Sequence, residues 1–296
     1  MPVLVATLVA DPANAPLSHA RVDEIGQGVS GFERWRWLDE GIAADLVINA
    51  GLSETRAALE DALAGEPVDV IVQPAGSRAK RLLVADMDST LIEQECVDEL
   101  AAYAGVGAHV AAVTERAMLG EIAFEPALRE RVALLGGLPE SVIAEVLRDR
   151  ITLNPGAPAL AQTMRSRGAR VVIVSGGFRQ FTRAIAARIG ADEDRANELE
   201  TAAGRLTGKV VEPVLGQNAK LSALKEIAAA MGLELAETLA VGDGRTISPC
   251  SKPGGLGVAY RAKPKVAAAA HARIDHGDLT ALLFAQGIAR KDFIEG

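Results

Sequence analysis

The chain has 296 residues, of which 49% are hydrophobic and 24% charged. A chain of that length and balance is expected to form about two soluble domains with a sizeable core. Its net charge of −8 excludes a general nucleic-acid binder, which needs a basic face, and disfavours docking on an anionic membrane.

From the N-terminus, VLVATLVA (3–10) predicts a buried strand. No basic segment precedes this apolar run, and Asp11 and nearby prolines cut it short, so a secretory signal is not expected. No stretch approaches the ~18 apolar residues of a membrane span. A helix is expected over 18–29. Strand-like residues follow around Phe32, Trp35, Trp37 and Leu38, then a strand AADLVIN (43–49). SETRAALEDALAG (53–65) reads as a helix with Ser53 as N-cap and an acid in its first turn. VDVIVQP (68–74) is a further strand. The order strand, helix, strand, strand, helix, strand predicts a ferredoxin-like α+β module over residues 1–76. Residues 77–81, closing PAGSRAKR, read as a linker.

RLLVA (81–85) is a short apolar strand of the kind buried in parallel sheets. Residues 92–150 are almost wholly helical in pattern, with turns near Gly105–Gly107 and Gly136–Pro139. VVIVSGG (171–177) is a second buried strand. A helix (178–189), a hairpin-like stretch (199–212), a helix (219–231) and the strands TLAVGDG (238–244) and GLGVAY (255–260) follow. Strands alternating with helices predict an α/β domain over 82–296. Its centre is a Rossmann-like, doubly wound parallel sheet, and about 96–150 is a helical cap inserted into it. The two cysteines, Cys96 and Cys250, have neither metal-like nor disulfide-like spacing, so a reducing, cytoplasmic location is expected.

Ligands of open α/β sheets sit at the carboxyl ends of strands, and three strands here end in polar clusters: VADMDST, VVIVSGG and AVGDG. Asp86 and Asp88 are two apart, so both point to one side of an extended segment. Such a pair is costly to bury without a cation, and Mg²⁺ joins carboxylate to phosphate oxygens. One carboxylate can then attack phosphorus while the other handles a proton. Ser175, before Gly176 and Gly177, offers a hydroxyl and backbone N–H groups to a phosphate. Lys220 opens a helix and can balance charge on a transferring phosphoryl group. Asp243 is a further candidate Mg²⁺ ligand. Each feature has a plainer reading taken alone: an acidic loop, an ordinary strand-to-helix turn, a surface lysine, a turn aspartate.

In this order the four features resemble the haloacid dehalogenase (HAD) superfamily. DMDSTLIEQECVDELA, FEPALRERVALLGGLP, VVIVSGGF, NAK and GLGVAYRAKPKV are further similar to its phosphoserine phosphatase family, over roughly residues 82–280. The N-terminal module resembles the ACT-like regulatory domains that some of these enzymes carry. The resemblance implies an aspartyl-phosphate mechanism, with Asp86 as nucleophile and Asp88 as acid and then base. It implies Mg²⁺ on Asp86, the Asp88 carbonyl and Asp243, and phosphate on Ser175, Gly176 and Lys220. Glu95 would meet the ammonium of O-phospho-L-serine and Arg131 its carboxylate, with Met118 and Phe124 closing the cap. A small-molecule substrate, no nucleic acid or membrane partner, and homodimer formation are the partner expectations. The other readings are a related phosphomonoesterase or phosphotransferase on another small metabolite, and a catalytically impaired ligand sensor.

The resemblance breaks in one place. Where the family continues GDGANDLPMLKAGGLGVAY, this chain reads GDGRTISPCSKPGGLGVAY, so Thr246 and Ile247 replace an asparagine and a second aspartate. Loss of that acid weakens support for the metal, and Arg245 adds positive charge beside it. Pro253 interrupts any continuing helix. The segment has the form of a compensated frameshift. Removing one base ahead of GC-rich codons for ANDLPMLKA gives RTISPCSKP, and one added base restores GGL. Resequenced DNA that encodes RTISPCSKP in frame, with no compensating insertion, would refute that origin.

Overall fold

The computed structural model describes residues 3–11, 17–119, 121–216, 218–243, 255–262 and 270–295, with 118 and 119 as backbone only. The first six elements are β1 (Leu4–Ala10), α1 (His19–Gly28), β2 (Phe32–Asp39), β3 (Ala43–Ile48), α2 (Leu52–Ala62) and β4 (Val68–Pro74). The strands form an antiparallel sheet in the order β2-β3-β1-β4, the ferredoxin-like arrangement expected. Side-chain alternation gives the sheet two different faces. Leu4, Ala6 and Leu8 pack with Leu46 and Val70 beneath α1 and α2. Val9 and Ile71, on the other face, join the core of the following elements. Helix α2 is capped by Gly51 rather than Ser53, with no side-chain cap bond. Gly51 holds the extended backbone that a helix entry needs, Ser53 already lies within the first turn, and Glu54 supplies the favourable negative charge there.

Residues 77–81 are anchored rather than loose. Lys80 is 7% exposed and donates to the carbonyls of Ser77 and Ala236. Arg78 grips Asp45 of β3 through both guanidinium nitrogens, at 2.8 Å each.

The second part runs β5 (Leu82–Ala85), α3 (Cys96–Tyr103), α4 (Gly107–Leu119), α5 (Phe124–Ala133), α6 (Ser141–Asp149), α7 (Ala157–Ser166), β6 (Arg170–Phe178) and α8 (Arg179–Ile189). It continues with β7 (Glu193–Asn197), β8 (Leu199–Ala202), β9 (Arg205–Val210), α9 (Ala219–Ala230), β10 (Thr238–Gly242), β11 (Leu256–Tyr260), β12 (Ala272–Ile274) and α10 (Ala281–Ala285). Six strands form a parallel sheet in the order β12-β11-β10-β5-β6-β7. Leu82, Val84, Val172 and Val174 pack on Leu224 and Ile227 of α9. Leu83, Ala85, Val171 and Ile173 face Leu160 of α7 and Phe181 of α8. Cover on both faces explains why these strands read as continuous apolar runs. The chain leaves β5 toward β6 on one side and returns to β10 on the other, so a crevice opens at the carboxyl end of β5.

Helices α3 to α6 are inserted between β5 and β6. Their two stems are tied where Ile92 bridges Leu153 and where the Glu93 and Asn154 N–H groups donate to Thr152 and Leu91. The hairpin β8–β9 packs against the insertion, the Gly137 N–H donating to Leu206 and the Leu206 N–H to Leu138. Among the described residues no helix is long and apolar enough to cross a membrane.

Candidate active site

A cavity of about 330 Å³ lies at the carboxyl ends of β5, β6 and β10, under α4 and α5. Asp86, Asp88, Glu95, Phe124, Arg131, Ser175, Gly176, Lys220 and Asp243 all line it. Sequence positions spread over more than half the chain are thereby brought to one place. The Met118 side chain, Thr246 and Ile247 lie outside the described residues.

Asp86 follows β5 directly, and its Oδ1 accepts the Met87 N–H at 2.9 Å. Its Oδ2 pairs with the Lys220 ammonium. Lys220 is 3% exposed, which rules out a surface lysine. Lys220 is the second residue of α9, so the start of that helix places its side chain against Asp86 at the cavity.

Asp88 is held differently. Its Oδ1 accepts the Cys96 N–H at the start of α3 at 3.0 Å, and its Oδ2 accepts the Ser175 hydroxyl at 3.4 Å. Desolvation pushes its carboxyl up to about 6, with the nearby Asp86 charge adding to the shift. A carboxyl of raised proton affinity is what general acid–base chemistry at this position needs. Ser175 Oγ also accepts the Gly177 N–H at 2.9 Å, folding the irregular last residues of β6 on themselves. A Cβ at Gly177 would overlap Asp88 Oδ2, and one at Gly176 would sit 3.1 Å from the Phe124 ring. Backbone therefore approaches the site at both positions more closely than a side chain allows.

The same cavity is lined by Glu95 and Arg131. Glu95 precedes α3 and accepts the Ser89 hydroxyl at 2.7 Å. Desolvation, followed by Asp88, Asp243 and Asp86, pushes its carboxyl up to about 8. Arg131, on α5, donates to the Ala127 carbonyl at 3.2 Å. Burial lowers its proton affinity, against Asp98, Glu95 and Asp88, which support the charge. An acid and a guanidinium therefore line the cavity that also carries a lysine, a serine and paired aspartates.

The chain matches the model of haloacid dehalogenase-like hydrolases over residues 83–246. It is 46% identical to the phosphoserine phosphatase of Streptococcus thermophilus over 203 residues, covering 69% of this chain and 94% of that one. It is 40% identical to the phosphoserine phosphatase of Streptomyces coelicolor over 275 residues, covering 92% of this chain and 67% of that one. The unliganded crystal structure of a probable phosphoserine phosphatase from Vibrio cholerae superposes with a TM-score of 0.74 at 31% identity, covering 98% and 88% of the two chains. The chain belongs to the haloacid dehalogenase-like hydrolases.

In this HAD hydrolase the donor set suits a hard divalent cation. Asp86, Asp88 and Asp243 offer oxygen alone, and together they raise the proton affinity of Glu95, a repulsion that a cation would relieve. Among the described residues no group of three or more His, Cys, Asp or Glu side chains is gathered into a metal-binding cluster. Two carboxylates and one backbone carbonyl need no such cluster, because Mg²⁺ keeps several of its waters.

The sequence reading missed the second tier of this HAD site. The Cys96 N–H on Asp88, the Ser89 hydroxyl on Glu95 and the steric need for Gly177 had no separate signal. Ser89 holds a left-handed backbone, φ 52°, which a turn tight enough to bring Asp88 beside Cys96 would have suggested.

Proposed function

We propose that the protein is a Mg²⁺-dependent phosphoserine phosphatase, hydrolysing O-phospho-L-serine to L-serine and phosphate in the last step of serine synthesis. The observation that carries the reading is one cavity lined both by groups that suit a phosphoryl group and by groups that suit an amino acid. Lys220, Ser175 and the Gly176–Gly177 backbone suit three phosphoryl oxygens. Glu95 suits an ammonium, and the planar fork of Arg131 suits a carboxylate. A small phosphorylated amino acid fits a volume of about 330 Å³.

On this reading Asp86 attacks phosphorus as the bond to the serine oxygen breaks, forming an acyl phosphate. Asp88, a carboxyl group of raised proton affinity, gives its proton to the leaving serine oxygen. Asp88, now a carboxylate, takes a proton from the water that attacks the acyl phosphate, and phosphate and the Asp86 carboxylate are released. Lys220 offsets the charge that collects around Asp86. Mg²⁺, held by Asp86, Asp243 and the Asp88 carbonyl, would supply Lewis-acid neutralisation of the phosphoryl oxygens. Phe124 excludes water from above. The same reading takes residues 1–76 as a regulatory-type module joined through 77–81 to a phosphatase domain over 82–296, in a cytoplasmic enzyme.

A second reading, a binding protein without turnover, is favoured by one feature: the departure at 245–253, directly after Asp243. One experiment separates the two. Mg²⁺-dependent phosphate release from O-phospho-L-serine is measured for the chain as written and for one carrying ANDLPMLKA at 245–253. Release by both establishes the enzyme. Release by the second alone keeps the substrate and marks RTISPCSKP as disabling. Release by neither overturns the substrate.

A further inference from the structure

Asn197 is the last residue of β7 and is 2% exposed. It does not line the cavity, yet both ends of its amide are spent on segments that do. Its Nδ2 donates to the Gly176 carbonyl at 2.9 Å, and its Oδ1 accepts the Leu215 N–H at 2.7 Å. Gly176 belongs to the turn that ends β6, and Leu215 lies five residues before Lys220. Only an amide side chain offers a fixed donor and a fixed acceptor on one short planar group. A carboxylate would lose the bond to Gly176, and an apolar residue would strand both backbone groups.

The surroundings explain why such a clamp is needed. The chain does not pass directly from Asn197 to Lys220. It leaves as the hairpin β8–β9, reaches the α3–α6 insertion and returns through residues 211–216. On the way it bonds to Gly137, Leu138 and Glu140 of the insertion, and Arg129 pairs with Glu212. Displacement of the insertion would therefore be carried into the segment that places Lys220. Gln180, in the first turn of α8, fixes the outgoing side by bonding to both the carbonyl and the N–H of Leu199. Asn197 fixes the returning side.

We propose that Asn197 is a positioning residue of the phosphate site, holding the Ser175–Gly177 turn and Lys220 in register so that both reach one phosphoryl group. The inference rests on the phosphate-handling reading above. A residue that only closes a β-turn would cost stability when removed, and its effect on function would follow the folded fraction alone.

The test is a double-mutant cycle on the full chain: Asn197→Ala, Lys220→Met and both together. Affinity for inorganic phosphate in the presence of Mg²⁺ is read by calorimetry, with melting temperatures beside it. Asn197→Ala should weaken phosphate binding about tenfold in folded protein, and the double variant should lose little beyond Lys220→Met, because one residue acts through the other. With O-phospho-L-serine, kcat should fall about 100-fold, as misplacement of a reacting group does. Phosphate affinity within twofold of the parent, or losses that multiply across the cycle, would overturn the proposal. If Asn197→Ala fails to fold, Asn197→Asp keeps the Leu215 bond and loses only the Gly176 bond, and the cycle is then run against Ser175→Ala in place of Lys220→Met. Failure of both to fold makes the residue structural and ends the proposal. A parent chain that binds phosphate but does not hydrolyse phosphoserine shows that turnover is lost in the chain as written, while the cycle still decides on Asn197. A parent chain that binds no phosphate removes both.

Discussion

At the scale of single residues, the site is governed by how closely backbone and carboxylates approach. Gly177 is the sharpest case. A methyl group there would overlap Asp88 Oδ2 and stand 3.1 Å from Ser175 Oγ, so the turn must shift or Asp88 must move. Gly177→Ala should lower kcat by about 100-fold while the melting temperature stays within a few degrees of the parent. An active Gly177→Ala enzyme would show that Asp88 has room to move. Glu95 makes a prediction in pH. Its carboxyl stands at about 8 with the site empty, so it is largely protonated at neutral pH. An ammonium beside it favours the anion, so binding of phosphoserine should release a proton. The bound state holds fewer protons, and apparent affinity should therefore rise with pH and level off once Glu95 is ionised in the free protein, at lower pH with Mg²⁺ than without it. Calorimetry in buffers of different ionisation enthalpy measures that proton, and Glu95→Gln should abolish its release. Most of these cavity-lining side chains stood out in the sequence because polar groups closing apolar strands are conspicuous there. What sequence could not show was burial. Lys220 and a surface lysine are spelled alike, and only the fold makes one of them 3% exposed.

At the scale of elements, legibility followed the apolar pattern. β5, β6, β10 and β11 are apolar runs because helices cover both faces of the sheet, and each was readable. β7 was not: it lies at the sheet edge and is spelled EDRAN, its side chains held by Arg170, Arg195 and Thr182 rather than by an apolar core. β12, three residues long, and α10, five, are too short to carry a period. The helical insertion was readable as helices, but its stem was not. That stem rests on Asn154, 4% exposed, whose Nδ2 donates to the Thr90 and Ile92 carbonyls at 2.8 and 3.1 Å. Asn154→Ala strands two carbonyls and should cost about 1–3 kcal/mol in urea unfolding. Because the stem aims the helices that carry Arg131 and Phe124, KM for phosphoserine should rise more than the dissociation constant of inorganic phosphate. Equal changes in both would show that the stem does not aim the groups that suit the amino acid.

At the scale of the whole molecule, the two sheets are joined by polar groups as well as by the apolar contact of Val9 and Ile71. Asp69 of β4 accepts the N–H groups of Asp275, His276 and Gly277. Gln73 donates to the Ala285 carbonyl, and Arg78 donates to Phe284 and Ala285 while pairing with Asp45. The carbonyls at the end of α10 thus meet a guanidinium, the favourable sign for a helix C-terminus. Gly287, at φ 81°, leaves room for that guanidinium, since a Cβ there would stand 2.9 Å from it. The Asp45 side chain is 2% exposed, and its other cation, Arg36, is 62% exposed. Arg78→Met therefore leaves a buried carboxylate with the Thr7 hydroxyl and one solvated cation, and should cost about 3 kcal/mol. It also removes one of the ties between the sheets, so a parent that unfolds in a single urea transition should separate into two. Asp45→Leu combined with Arg78→Met takes away the charge with its partner and should recover most of the lost stability, because the penalty belongs to the unpaired ion. The second transition should persist in that double variant, since an apolar pair restores burial but not the bonds to the end of α10. A double variant that unfolds in one step would place the coupling of the two sheets in Asp69 and Gln73 instead.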